Sequence, residues 1–181
     1  MGKFQFEKTA VDGVLLITPT VFGDDRGYFM ETYQQQEFEA AGIVHPFVQC
    51  NQSKSKQGVL RGLHFQIAQP QGKLVRVIEG AVFDVAVDIR KNSPTYGKWV
   101  GVVLSQENKQ QLFVPRGLAH GFYVLTETAE FTYMCDAFYD ATDEGGLLYN
   151  DETVNVQWPI LPNVPLLLSE KDKKHPTLHM L

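Results

Sequence analysis

A chain of 181 residues, 44% hydrophobic and 20% charged, suits a single globular domain spanning residues 1–181 and excludes a disordered or fibrous protein. Its net charge of −5 argues against a nucleic-acid partner, because nucleic-acid binders usually carry a basic surface for phosphates. No apolar run approaches the roughly 20 residues that cross a bilayer and the N-terminus lacks a signal pattern, so we expect a cytoplasmic protein with no membrane partner.

Short runs rich in β-branched and aromatic residues recur along the chain, separated by turn residues. They lie at residues 14–18, 59–66, 73–79, 81–89 and 99–104. The one convincing helical pattern covers residues 34–41 and is closed by Gly42 in the C-cap position. Glu79-Gly80 predicts a tight hairpin, and residues 91–94 predict a turn. Many short strands with few helices favour a mostly β protein built as a sandwich or closed barrel.

The run at residues 81–89 has the clearest strand pattern. Apolar residues occupy its odd positions from Phe83 to Ile89, whereas Asp84 and Asp88 fall on the even positions. Because side chains alternate between the two faces of a strand, one face is predicted to pack in the core and the other to line a cavity.

Nucleotide binding by the common glycine-rich loops is excluded, because neither G-x-G-x-x-G nor G-x-x-x-x-G-K-[ST] occurs. Residues 115–120 instead contain P-x-G-x-x-H, which resembles the second motif of cupin barrels. Any nucleotide is therefore expected in the mouth of a barrel.

The first cupin motif is only half present. Gly58 and His64 match it, but Gln66 replaces the second histidine ligand and Lys73 follows where a carboxylate is expected. Glutamine and lysine are poor ligands for zinc or iron, so no bound metal is predicted. The two cysteines lack zinc-ligand spacing and are predicted to be free thiols, namely Cys50 and Cys135.

Histidines without a metal suggest proton transfer, because imidazole titrates near neutral pH. His64 is the strongest candidate, since Arg61 and Gly62 interrupt its strand where packing alone would favour aliphatic residues. In an unbroken strand Arg61 and His64 would face opposite sides, so a shared site requires a bulge or twist near Gly62 or a contact from another subunit. The remaining histidines outside the cupin motif are expected to be structural or exposed, namely His45, His175 and His179.

Seven stretches together resemble the dTDP-4-dehydrorhamnose 3,5-epimerase family, in family order and over nearly the whole chain. They are residues 22–29, 61–66, 72–76, 82–90, 93–95, 115–122 and 168–172. The resemblance implies a cupin-type jelly-roll β-barrel with a few short helices, and an isomerase that needs no cofactor. It also implies a homodimer whose N-terminal strands cross to the partner's sheet.

The implied substrate is a thymidine-diphosphate 4-keto-6-deoxyglucose, which is inverted at carbons 3 and 5 on the way to rhamnose. Both carbons flank the carbon-4 ketone. Removal of either proton therefore gives an enolate whose charge spreads onto the ketone oxygen, without a metal or redox cofactor.

The resemblance assigns four catalytic residues. His64 is the general base, and Asp172 binds its other ring nitrogen to fix the tautomer and stabilise the imidazolium. Tyr133 returns a proton from the opposite face. Lys73 stabilises the enolate oxygen and is positioned to tune the Tyr133 phenol, which otherwise loses its proton near pH 10.

The resemblance also assigns the residues that hold the substrate. They are Arg26, Glu31, Gln49, Asn51, Arg61, His120, Glu144 and Lys171, with Tyr139 stacking on the thymine ring. The cations among them bring positive charge to a doubly anionic diphosphate. Cys50 departs from the family pattern, which often has aspartate at this position.

Three alternatives stay open at the level of sequence. The first is an epimerase that inverts one carbon of another deoxysugar nucleotide with the same catalytic groups. The second is a metal-dependent cupin with His64 and His120 as ligands, against which Gln66 and Lys73 count. The third is a sugar-binding cupin without activity, against which the combination of a base and an acid counts.

Overall fold

The structure is a computed structural model that describes residues 2–181. Within that range the chain is mostly β, with one short α-helix. The strands are β1 Phe4–Lys8, β2 Leu15–Pro19, β3 Val21–Asp24, β4 Gly27–Met30, β5 Gln49–Lys56, β6 Leu60–Gln66, β7 Lys73–Glu79, β8 Ala81–Asp88, β9 Trp99–Ser105, β10 Gln111–Val114, β11 Leu118–Val124, β12 Thr128–Cys135 and β13 Glu144–Gly146. Helix α1 is Gln35–Ala40, and two 3-10 turns are Asp172–Lys174 and Leu178–Met180. No helix in the described range is long and apolar enough to cross a membrane.

Two antiparallel sheets face each other and share one core. The larger has the strand order β1-β2-β10-β7-β12-β5, and the smaller has the order β13-β6-β11-β8-β9. Val75 and Phe131 of the larger sheet pack in one buried cluster with Val82 and Phe122 of the smaller. Full burial of such a side chain contributes about 1.5–3 kcal/mol, so this shared layer holds the two sheets together.

The five predicted strands are confirmed, with ends shifted by at most one residue. The predicted helix is also confirmed, and it is one residue shorter at each end. The Gln34 side chain caps its first turn by accepting from the Glu37 backbone N–H. The C-cap is Ala41, and Gly42 lies one residue beyond the predicted C-cap position with φ +94°, a conformation in which glycine is favoured.

The hairpin predicted at Glu79-Gly80 is wrong. Strand β7 belongs to the larger sheet and β8 to the smaller, so the chain crosses between sheets at this point. Gly80 has φ +75°, and a Cβ there would collide with the Thr128 carbonyl. The same glycine conformation serves a tight hairpin and a sharp corner, and only long-range strand pairing separates the two.

Strand β8 is buried on both faces. The apolar face predicted from Phe83 to Ile89 packs on a second cluster that includes Leu147. On the other face Val82 and Ala86 enter the core between the sheets, while Asp84 reaches a histidine of the cavity described below.

The predicted turn at residues 91–94 is present and anchors the end of β8. Fully buried Asp88 accepts hydrogen bonds from Arg90 at 2.8 Å, Ser93 at 2.5 Å and Thr95 at 2.6 Å. Burial acts to raise the pKa of Asp88, but these hydrogen bonds outweigh it and hold the pKa below its usual value.

Candidate active site

An extra residue in β6 turns Arg61 and His64 toward the same space. The register between β6 and β11 shifts next to the cross-strand pair of His64 and His120. Gly62 lies in this bulge, and a Cβ there would lie only 2.6 Å from the Gly121 Cα on β11. Of the arrangements that would let Arg61 and His64 share a site, the structure shows the bulge near Gly62, and both residues line the same two cavities.

The inner of these cavities lies between the two sheets and is lined by side chains from both. His64 and His120 reach it from β6 and β11 of the smaller sheet. Lys73 and Tyr133 reach it from β7 and β12 of the larger sheet. Because the sheets face each other, His64 and Tyr133 stand on opposite walls, so a ligand held between them meets one group on each face.

His64 is paired with a buried carboxylate. Its Nε2 lies 2.7 Å from Oδ1 of Asp172, whose side chain is 5% exposed. Burial acts to raise the pKa of Asp172, but the hydrogen bond and charge of His64 outweigh it and hold the pKa below its usual value. With Nε2 engaged, Nδ1 is the ring nitrogen of His64 that remains for a substrate.

His175, which the sequence led us to expect as a structural or exposed residue, lies against this pair. Its ring meets the His64 ring edge to face, with centroids 5.6 Å apart. Its Nε2 lies 3.4 Å from Oδ1 of Asp172. Ligand atoms of the three residues lie within 4.8 Å of one another, a spacing that a metal ion can use, although two of them already bond to each other.

The larger sheet supplies an acid and a cation to the opposite wall. Burial raises the pKa of the Tyr133 phenol, so Tyr133 stays protonated at neutral pH. The positive charge of Arg61 acts in the opposite direction. Burial also lowers the pKa of Lys73. The resemblance also allows Lys73 to tune the phenol, and in the structure Arg61 is a cation whose charge lowers the pKa of Tyr133.

His120 is held by an acid that sequence reasoning did not select. Its Nε2 lies 2.9 and 3.0 Å from the two carboxylate oxygens of Asp84, which is fully buried on β8. The sequence signal that could have identified Asp84 is an acidic residue in the middle of a largely apolar strand. The pair fixes the His120 ring at the cavity wall, beside the strand that carries His64.

The predicted substrate-holding residues at the rim form a continuous hydrogen-bonded chain. The Gln49 amide donates to Asn51 at 3.0 Å, and the Tyr139 backbone N–H donates to Gln49 at 2.9 Å. The Tyr139 hydroxyl and the Lys171 ammonium both donate to Glu144, at 2.9 and 2.5 Å. The hydrogen bond to Glu144 raises the pKa of Tyr139, whose half-exposed ring lies open to solvent.

Two predicted residues lie on or next to the β3–β4 hairpin and are not part of this hydrogen-bonded chain. Arg26 lies at the tip of the β3–β4 hairpin, 89% exposed, and pairs with Asp24 at 2.5 Å. Glu31 follows the hairpin and pairs with Lys3. Neither Arg26 nor Glu31 lines the cavities that contain His64. The side chains of Gln49, Asn51 and Tyr139 do not line them either, but the hydrogen-bonded chain connects these three to Glu144, which does.

Several known proteins are similar to this chain in sequence and in fold. A family model described as dTDP-4-dehydrorhamnose 3,5-epimerase matches residues 8–180. A Shigella flexneri protein of that name is 56% identical over 167 residues, which is 91% of each chain.

Solved structures agree with this assignment. A Legionella pneumophila dTDP-6-deoxy-D-glucose-3,5-epimerase, in complex with dTDP-4-keto-L-rhamnose, is similar with a TM-score of 0.95 at 46% identity, covering 98% of this chain and 94% of that one. A 3′-monoepimerase from Streptomyces bikiniensis, in complex with dTDP-quinovose, has a TM-score of 0.87 at 32% identity, covering 94% and 86%. The chain therefore belongs to the dTDP-4-dehydrorhamnose 3,5-epimerase family.

Proposed function

We propose that this chain converts dTDP-4-dehydro-6-deoxy-D-glucose to dTDP-4-dehydro-L-rhamnose by inverting carbons 3 and 5, and so acts in dTDP-rhamnose biosynthesis. One observation supports this most directly. A histidine with a buried carboxylate and a protonated tyrosine stand on opposite walls of one cavity, namely His64 with Asp172 and, across from them, Tyr133. Inversion requires this arrangement, because the proton must leave one face of the carbon and return to the other.

The mechanism is acid-base chemistry through an enolate. His64 removes the proton from carbon 3 or carbon 5 through Nδ1, and Asp172 stabilises the resulting imidazolium. The negative charge moves to the carbon-4 oxygen, where Lys73 provides positive charge in a buried setting. Tyr133 then donates its proton to the opposite face of the same carbon. No step requires a metal or a redox cofactor.

The nucleotide part of the substrate is assigned to the rim. Arg61 and Lys171 line the outer cavity beside His64 and supply positive charge for the diphosphate. The exposed Tyr139 ring is available to stack on thymine, and Gln49 and Glu144 already hold its backbone and hydroxyl. The diphosphate then competes with Glu144 for the Lys171 ammonium.

The functional unit is a homodimer in which the partner subunit supplies Arg26 and Glu31. The β3–β4 hairpin pairs with no further strand in the described range, and Phe22, Tyr28 and Phe29 are at least half exposed on it. Such an apolar surface is typical of an interface. Mixing inactive Arg26→Ala and His64→Ala chains under exchange conditions is expected to restore part of the activity, because one of the two sites in the mixed dimer is intact. No recovery in a mixture shown to contain mixed dimers would refute the shared site.

The two facing sheets also support the cupin-type jelly-roll β-barrel that the sequence motifs suggest, formed by a single domain over residues 1–181. Cys50 and Cys135 are both free thiols. Free thiols are typical of a reducing compartment, which supports the proposal of a cytoplasmic enzyme.

The test is to incubate chelator-treated protein with the 4-keto-6-deoxyglucose nucleotide in deuterated water and follow carbon-bound deuterium. Wild type is expected to label carbons 3 and 5, and His64→Ala to label neither. Tyr133→Phe is expected to exchange deuterium into unconverted substrate through His64 but to lose inverted product by about 10²- to 10⁴-fold. Tyr96→Phe, in the turn after β8, is the matched control.

Each alternative has its own outcome. Label at one carbon only would identify a single-carbon epimerase. Exchange that returns only when metal is added would identify a metal-dependent cupin. Tight binding of the nucleotide sugar without exchange would leave a binding protein and refute the acid-base mechanism.

A further inference from the structure

Gln66, which replaces the second histidine ligand of the cupin motif, is the last residue of β6. It is 5% exposed, and no step of the proposed reaction uses it. A buried primary amide needs partners for two N–H donors and for an oxygen acceptor. The partners of this amide therefore indicate what the residue does.

The Gln66 amide binds the backbone on both sides of Tyr139. Its nitrogen donates to the carbonyl of Phe138 at 3.3 Å, and its oxygen accepts from the N–H of Asp140 at 2.7 Å. The nitrogen also donates to the Gln69 carbonyl at 2.7 Å, in the connection from β6 to β7. Both N–H donors and the oxygen are thus engaged, and two of the three hydrogen bonds flank one residue.

The backbone of Gln66 is also linked to the partner of the Tyr139 hydroxyl. Gln66 lies directly opposite Glu144 where β6 pairs with β13. The Glu144 carboxylate accepts from the Tyr139 hydroxyl at 2.9 Å. One residue therefore fixes both the backbone that carries the Tyr139 ring and the strand that carries the acceptor of its hydroxyl.

The same strand connects this ring to the base. His64 lies two residues before Gln66 on β6, and each strand residue rises about 3.3 Å, so the two are about 7 Å apart along the strand. Because the loop between β12 and β13 is bound to this strand, the Tyr139 ring keeps a fixed position relative to His64.

We propose that Gln66 is a positioning residue for the nucleotide, whose amide holds the Tyr139 ring in the orientation that stacks on thymine. The proposal rests on the proposed function, in which Tyr139 binds the base. Tyr139 is half exposed, so the ring has little packing of its own. Its placement depends on its backbone and its hydroxyl, and Gln66 restrains the backbone on both sides.

The test is a double-mutant cycle on the binding of dTDP, measured by calorimetry without turnover. Gln66→Met keeps the length of the side chain but removes the amide. Loss of a base stacked on an aromatic ring weakens binding by about 5- to 150-fold, so misplacing the ring is expected to raise the Kd for dTDP by about 5- to 20-fold. In a Tyr139→Ala background the same substitution is expected to change the Kd by less than about 2-fold, because no ring remains to be positioned.

Kinetics separate positioning from catalysis. Gln66→Met is expected to raise KM by a similar factor and to leave kcat within about 2-fold of wild type, because the catalytic groups are unaltered. Gln71→Met is the matched control. This buried glutamine donates to the carbonyl of Ala137 at 2.8 Å in the same loop but does not flank Tyr139, so its Kd for dTDP is expected to stay within about 2-fold of wild type.

An unchanged Kd for dTDP in Gln66→Met would overturn the proposal, and so would an equal increase in the Tyr139→Ala background, which indicates a merely structural role. A measurement on wild type needs no variant to fold: the Asp140 amide is expected to be protected from hydrogen exchange by its bond to Gln66, and unprotected exchange would also overturn the proposal. Wild-type binding of dTDP by Tyr139→Ala would refute the stacking assignment and this proposal with it. Absence of deuterium exchange into the sugar, with the binding cycle as expected, would refute only the epimerase activity.

Discussion

Replacing Asp172 by asparagine tests the catalytic pair with little change in shape. The substitution keeps a side chain of the same size 2.7 Å from Nε2 of His64 but removes the negative charge that faces the imidazolium. A hydrogen bond to a charged group is worth about 1.5–3 kcal/mol. Each 1.36 kcal/mol of barrier corresponds to a tenfold rate, so kcat is expected to fall by roughly 10- to 150-fold.

The assay is deuterium incorporation at carbons 3 and 5, measured under saturating substrate together with the thermal midpoint of unfolding. Glu170→Gln is the matched control, because this nearby carboxylate is 77% exposed and bonds only to Lys173. Wild-type exchange rates in Asp172→Asn would refute the assignment of Asp172 as the partner of the base. A loss of the same size in Glu170→Gln would show that the effect comes from charge in the segment and not from the pair.

Three further predictions concern the stability of the fold and the accessibility of its two thiols. Gly62→Ala is expected to lower the free energy of unfolding by about 1–3 kcal/mol and to reduce activity, because the added Cβ would press on Gly121. Urea unfolding measures the first effect and the deuterium-exchange assay the second. Asp88→Asn is expected to destabilise by about 3–5 kcal/mol. Because the folded pKa of Asp88 is depressed, its contribution is present above the usual value of 3.8 and is lost as the pH falls below it, which a pH series of unfolding midpoints would show. Cys50 is expected to alkylate readily at pH 8 and Cys135 only after denaturation, since burial raises the pKa of the Cys135 thiol to about 11; mass spectrometry counts the labels.

Local sequence patterns were enough to predict the strands but not which strands pair with each other to form the two sheets. The alternation in residues 81–89 identified β8, because a strand exposes opposite faces at successive residues. It did not show that both faces are buried, since Asp84 and Asp88 find partners from distant parts of the chain. The hairpin predicted at Gly80 was wrong for the same reason: the strands that pair with β7 and β8 lie far away in sequence.

The sequence likewise indicated some residues of the candidate site and not others. The interruption at Gly62 indicated where the strand could deviate, and the structure shows there an extra residue that reverses the side-chain alternation and brings Arg61 and His64 together. His175 could not be selected, since its contact with His64 depends on a turn and a glycine that no local pattern links to it. Arg26 was selected by resemblance alone, and within the single chain it lies at the tip of the β3–β4 hairpin, outside the cavities that contain His64.

The contact between Gly62 and Gly121 also bears on engineering this enzyme for other sugars. Each glycine occupies the space of the other's missing Cβ, so neither can gain a side chain first and a paired change would make the overlap worse. A mutant library that randomises the cavity should therefore leave both positions fixed. Ser53, which already presents a small side chain to the same cavity, is a better place for diversity.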